Sequence, residues 1–146
     1  PAVAKGFCTA AELQTVHNKL ETLLGREHAY LDRIYCCPHH PEKGFPGERI
    51  ELKCDCACRK PKTELIHRAV CELNLDLRLS YFVGDSTTDM QTAQNAGLRS
   101  ILVRTGHGGN DGKYAARPDF VFDTLVTAVD FILGRVPGLL ASSSPS

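Results

Sequence analysis

Between Thr9 and about Arg26 the apolar residues Leu13, Val16, Leu20, Leu23 and Leu24 recur at helical spacing, which predicts a first helix. Thr9 followed by Glu12 forms a capping-box pattern and sets its start. The stretch from Tyr30 to Cys36 alternates and is rich in β-formers, so it reads as a strand. From Cys37 to Pro61 no period survives, and prolines and glycines interrupt the chain; this is a long loop that needs something other than a core to hold it. Leu65, Ile66, Ala69, Val70 and Leu73 share one face of a second helix over 62–75. A short apolar run, Leu79 to Val83, ends in Gly84-Asp85 as buried parallel strands do. A helix from Thr88 to Ala96, capped by Gly97, precedes a strand from Ser100 to Val103. The glycine-rich stretch from Arg104 to Gly112 reads as a flexible loop, Phe120–Phe122 as a last strand, and Leu125–Leu133 as a last helix. Strands alternating with helices predict an α/β fold with a parallel sheet. Residues 1–136 read as one domain, with its long loop at 37–61, and 137–146 as a disordered tail.

Composition narrows the class. At 146 residues, with 42% hydrophobic and 23% charged, the chain suits one soluble globular domain. Lys plus Arg (17) balance Asp plus Glu (17), so nothing draws it toward nucleic acid or an anionic membrane. No apolar run approaches the roughly 20 residues that cross a bilayer. The opening residues do not read as a signal peptide, so a cytoplasmic location is expected. A monomer is expected, with neither nucleic-acid nor membrane partners.

Five of the seven cysteines (Cys36, Cys37, Cys54, Cys56, Cys58) crowd into one segment beside His39 and His40. Cysteines so clustered, odd in number and without a secretory signal, favour a metal over disulfides. Cys37-Pro38-His39 and the run Cys54-Asp55-Cys56-Ala57-Cys58 could give one tetrahedral zinc two ligands from each end of the loop. Three thiols at alternate positions leave the second pair open. His40 reads as a solvent-facing neighbour. Directly after Cys58 come Arg59-Lys60-Pro61, a basic pair placed where a metal-fixed loop meets a helix and suited to a phosphate. Val83-Gly84-Asp85-Ser86-Thr87-Thr88-Asp89 sets one carboxylate at a strand's carboxyl end, where α/β sheets bind ligands, and a second at the following helix start. Asp85 suits a hard cation such as Mg²⁺. Asp89 could either favour the helix N-terminus or orient the metal's ligands.

In this order the three motifs resemble the zinc-containing, capless phosphatases of the haloacid dehalogenase superfamily. The closest likeness is to the D-glycero-D-manno-heptose 1,7-bisphosphate 7-phosphatases and the histidinol-phosphate phosphatases grouped with them. The resemblance implies a doubly wound, Rossmann-like parallel sheet with a zinc-stapled loop at 37–61, here without its first strands. It implies zinc on Cys37, His39, Cys56 and Cys58, because the family's second Cys-x-Cys thiol directly precedes Arg-Lys-Pro; Cys54 is the alternative, since Cys54-Asp55-Cys56 copies the usual Cys-Asp-Cys. It implies Mg²⁺ on Asp85 with Asp89 as a possible orienting group, a phosphorylated-sugar substrate held by Arg59 and Lys60, and Lys60 stabilising the transferring phosphoryl group. Ser86, where the heptose enzymes often carry Lys, falls among the substrate-contacting positions. Thr63-Glu64 replaces the usual Pro-Gly, a second departure. The family's nucleophile motif, Asp-x-Asp-Gly, occurs nowhere in the chain. The resemblance therefore implies part of a longer gene product, an aspartyl-phosphate formed on an upstream Asp, and no turnover from these residues alone. A non-catalytic zinc-binding module is the competing reading; a nucleic-acid-binding zinc domain is disfavoured by the balanced charge and the absence of a basic helix.

Overall fold

A computed structural model of the chain describes residues 2–136. The disordered tail expected from Pro137 lies outside the described residues. The chain divides between Arg59 and Lys60 into two compact units.

The first unit opens with a turn that leads into α1 (Ala10–Arg26). Thr9 and Glu12 cap that helix reciprocally: the Thr9 N–H donates to Glu12 Oε2 at 2.7 Å, and the Glu12 N–H donates to Thr9 Oγ1 at 3.1 Å. The Thr9 backbone bond holds the Glu12 carboxyl below its usual pKa. No residue of α1 is buried: Val16, Leu20 and Leu23 of its apolar stripe are exposed, while Leu13 and Leu24 are half-buried. The expected strand from Tyr30 to Cys36 is absent: the segment lacks the ladder that defines a strand. β-forming composition favours extended backbone, but only a hydrogen-bonded neighbour makes it a strand. The long loop that follows contains one turn of 3₁₀-helix, Ile50–Leu52.

The second unit starts with α2 (Glu64–Leu73), followed by β1 (Tyr81–Gly84), α3 (Thr87–Ala96), β2 (Arg99–Val103), β3 (Phe120–Phe122) and α4 (Leu125–Ile132). The strands form a parallel sheet in the order β1-β2-β3, with Val83 opposite Ile101 and Leu102 opposite Val121. Parallel neighbours need crossover connections, and α3 supplies the one between β1 and β2. Four consecutive residues of β2, Ser100 to Val103, are buried, so both faces of the central strand are covered. Ile101, Val103 and Phe122 pack with Ala128 of α4, and Phe131 lies with its ring centroid 4.6 Å from Phe120 and 5.3 Å from Phe122. Met90 and Ala93 of α3 are also buried. Ser100, the buried polar residue of β2, is satisfied by Asp119, whose Oδ2 accepts from both its N–H and its hydroxyl. No helix among the described residues is long and apolar enough to cross a membrane.

Candidate functional site

At the carboxyl end of β1 the chain turns sharply into α3. Ser86 is the N-cap, its hydroxyl accepting from the Asp89 N–H at 3.2 Å while Asp89 Oδ2 accepts from the Ser86 N–H and hydroxyl at 3.2 and 2.6 Å. The Asp89 side chain lies directly over Gly84: a Cβ on that glycine would come within 2.4 Å of the Asp89 Cβ. That close approach is the physical reason for glycine before Asp85. Lys60 reaches the same turn, its Nζ 2.5 Å from Asp89 Oδ1. Burial works to raise the Asp89 carboxyl, but the Lys60 ammonium and Ser86 outweigh it and hold the group below its usual value. Asp89 therefore caps the helix and anchors a lysine. Asp85, next along from Gly84, is half-buried, and its Oδ2 accepts from the His107 N–H at 2.8 Å.

In the first unit Cys37, His39, Cys56 and Cys58 converge, with their ligand atoms all within 4.8 Å of one another. Cys37 Sγ is 3.5 Å from Cys56 Sγ, and Cys58 Sγ is 3.2 Å from both Cys37 Sγ and Cys56 Sγ. His39 Nδ1 lies 3.4 Å from Cys58 Sγ and 4.0 Å from Cys37 Sγ. These separations exceed the ~2.05 Å of a disulfide. They approach the about 3.8 Å between sulfurs, and about 3.5 Å between sulfur and nitrogen, that a tetrahedral zinc sets. Burial, then the neighbouring thiols, push the Cys58 thiol up to about 12, and burial also raises Cys37. Cys56 goes the other way: its hydrogen bonds from Cys58 and Cys37 overcome burial. Such a cluster resists multiple ionisation by itself, and a divalent cation is the group that would relieve it. The donor set fits zinc.

Other expected site residues fall out differently. Cys54 is exposed and outside the four-ligand cluster. His40, expected to face solvent, is 3% exposed; its Nδ1 accepts from the Glu42 N–H and its ring meets Phe45 edge-on at 5.9 Å. Phe45 arrives from along the loop, so spacing around His40 could not reveal its cover. Burial, then the Arg59 and Lys5 charges, lower the His40 pKa. Arg59 directs Nη1 to the His39 carbonyl at 3.5 Å. Ser86 directs its hydroxyl into the helix cap. The loop from Arg104 to Gly112 is not a loose connection: besides the His107 bond, the Gly109 N–H donates to the Asp85 carbonyl at 2.8 Å, and Asp111 Oδ1 accepts from Thr87 N–H at the start of α3. The repeated glycines were the available sign that backbone must come close to something here.

The HAD-hydrolase-like family model matches residues 57–128, which span β1, α3, β2 and β3. The D-glycero-D-manno-heptose-1,7-bisphosphate 7-phosphatase of Chlorobaculum tepidum is 34% identical over 141 residues, covering 91% of this chain and 69% of that protein. The D-glycero-beta-D-manno-heptose-1,7-bisphosphate 7-phosphatase of Yersinia pestis is 37% identical, with the same two coverages. The crystal structure of D,D-heptose 1,7-bisphosphate phosphatase from B. bronchiseptica, complexed with magnesium and phosphate, superposes with a TM-score of 0.73 at 29% identity, over 92% of this chain and 70% of that one. By its identity to enzymes most of whose length it spans, and by the fold it shares with a solved one, the chain belongs to the haloacid dehalogenase-like phosphatases, in the group of the heptose-1,7-bisphosphate 7-phosphatases.

Proposed function

We propose that these residues form the cation- and lysine-bearing part of a D-glycero-D-manno-heptose 1,7-bisphosphate 7-phosphatase, a Mg²⁺-dependent phosphomonoesterase. The observation that carries this reading is the β1–α3 turn, where Gly84 lets Asp89 fold back and Asp89 in turn holds the Lys60 ammonium beside the strand end that bears Asp85. A cation and a carboxylate gathered at the carboxyl end of a parallel strand suit a phosphate ester and its counter-ion.

Asp85 would offer Mg²⁺ a hard carboxylate oxygen, the kind of ligand that cation takes beside a phosphate. When bound it supplies charge neutralisation between an attacking carboxylate and the phosphoryl oxygens. Lys60 stabilises charge on the phosphoryl group as it transfers. Ser86 lies beside Asp85 at the same turn, and the family likeness alone assigns a substrate contact to the planar guanidinium of Arg59. The nucleophile is an aspartate of the Asp-x-Asp-Gly kind, which the 146 residues do not contain. Zinc on Cys37, His39, Cys56 and Cys58 does no chemistry and fixes the loop at 37–61. We read the protein as a cytoplasmic monomer within a longer gene product.

The test is phosphate release from D-glycero-D-manno-heptose 1,7-bisphosphate and from histidinol phosphate, by these residues alone and by the gene product carrying the coding sequence ahead of Pro1. Mg²⁺-dependent release from the heptose ester by the longer product, and none from the 146 residues, is expected. Release from the short chain refutes the missing nucleophile; preference for histidinol phosphate reassigns the substrate; silence from both leaves a zinc-binding module.

A further inference from the structure

The loop from Arg104 to Gly112 follows β2, yet three of its contacts concern Asp85 of β1. The His107 N–H donates to Asp85 Oδ2, and the Gly109 N–H to the Asp85 carbonyl, both at 2.8 Å. Gly106 lies against the same carboxylate: a Cβ built there would sit 2.2 Å from Oδ2 and 3.0 Å from Cγ. No other side chain could occupy position 106 without displacing that oxygen, and the backbone there, with φ +72°, already favours glycine. The loop is tied at both ends. The Arg104 N–H donates to the Phe122 carbonyl at 2.9 Å, and Thr87 Oγ1 accepts from the N–H groups of Lys113 and Tyr114.

We propose that Gly106 and the His107 amide are positioning elements that set the rotation of the Asp85 carboxylate for cation binding. A carboxylate at a strand end turns about two single bonds, and one backbone donor on Oδ2 removes most of that freedom. Oδ1, which has no protein donor among the described residues, is then the oxygen left for the metal. Gly106 is the residue that makes room for Oδ2 to reach the His107 N–H. The inference rests on the reading of Asp85 as a cation ligand and adds how the chain holds it. It also explains why a segment with the composition of a flexible linker is held to a strand end: its glycines allow backbone donors to approach where side chains would collide.

Glycine 112 provides the control, since it shares a positive φ (+60°) but a Cβ there meets nothing within 4 Å. The two replacements Gly106→Ala and Gly112→Ala thus carry similar backbone strain, and only the first intrudes on Asp85. Manganese, a paramagnetic stand-in for Mg²⁺ with the same oxygen preference, is titrated into the zinc-loaded chain while amide signals are followed by NMR. In the unaltered chain, broadening centred on 84–87 and 106–109 is expected. Gly106→Ala is expected to need at least tenfold more Mn²⁺ for the same broadening, whereas Gly112→Ala matches the unaltered chain. Equal binding by all three overturns the positioning role while leaving the metal reading in place; no broadening near Asp85 in the unaltered chain overturns both. Should Gly106→Ala fail to fold, amide exchange decides. Asp85→Ala removes the acceptor of the His107 N–H but keeps the carbonyl that holds Gly109, so exchange is expected to quicken at least tenfold at His107 alone. Unchanged exchange at His107 contradicts the proposal.

Discussion

Stripping the metal from the zinc-loaded chain, or replacing Cys58 by serine, is expected to unfold the segment from Cys37 to Cys58. Among the described residues of the first unit only Val3, Ala4 and His40 are buried, so little apolar burial holds this loop. Its other fastening is the set around Phe45: the Lys5 and Lys53 ammonium groups lie 4.2 and 4.7 Å from the ring centroid, and Lys53 Nζ is 3.0 Å from Glu48 Oε2. Such contacts are each worth on the order of 1 kcal/mol. A four-ligand zinc supplies on the order of 10 kcal/mol, which dominates that sum. Cys58 is the thiol nearest two other sulfurs and the histidine, so serine there removes the best-connected ligand. Limited proteolysis and elemental analysis read the outcome: Cys58→Ser loses the metal and is cut between 37 and 58, while Cys54→Ser keeps about one zinc per chain. Full zinc and protease resistance in Cys58→Ser would mean that Cys58 is not a ligand, and an unaltered chain without zinc would mean that the cluster is only a group of neighbouring thiols.

A second large effect is expected from Lys60→Met in the protein that carries the nucleophile. The substitution removes the cation proposed to meet the phosphoryl group, and a preorganised charge of this kind is worth about 10²- to 10³-fold in kcat. It also leaves Asp89, 5% exposed, with Ser86 as its remaining side-chain partner among the described residues. Leaving a buried carboxylate without one of its partners destabilises by about 1–3 kcal/mol; because the Lys60 side chain is 53% exposed and screened by solvent, the lower half of that range is expected near pH 7. The sign of the pH dependence follows from the depressed Asp89 carboxyl. Its contribution is present above the unfolded value of 3.8 and is lost as pH falls through the lower folded value. The stability gap between the two proteins should therefore shrink below about pH 4. Denaturant unfolding at pH 7 and pH 3 measures the gap; a gap that widens in acid would show that Lys60 does not hold an ionised Asp89.

What the amino-acid pattern could disclose was decided by how local each cause was. The helix at Ala10–Arg26 is specified by Thr9 and Glu12, three apart, which cap one another and are legible as a capping box. Ser86 and Asp89 form the same kind of cap, but in the sequence Asp89 reads only as a carboxylate at a helix start and Ser86 as a substrate contact. The strands Tyr81–Gly84 and Arg99–Val103 are short apolar runs that pair with one another, and they too were readable. Tyr30–Cys36 shows the limit, because strand formation depends on a neighbour that local composition does not contain. His40 shows another: its cover comes from Phe45, and that contact is set by the path of the loop. The glycine-rich stretch after β2 is the least legible segment. Its function is carried by backbone N–H groups, and every non-proline residue has one, so no side-chain motif announces it. Asp111 is equally illegible, since its carboxylate meets the start of α3 across 24 positions.

The role given to Asp85 is the claim on which the rest depends, and Asp85→Asn in the nucleophile-bearing protein tests it most directly. Asparagine keeps the shape and the oxygen that accepts from His107, but removes the charge a divalent cation requires. Phosphate release at saturating Mg²⁺ is the measurement, with zinc content and thermal midpoint as controls. A fall of about a thousandfold or more, with zinc and thermal midpoint unchanged, is the predicted result. Turnover within a few-fold of the unaltered protein at the same Mg²⁺ would contradict the account.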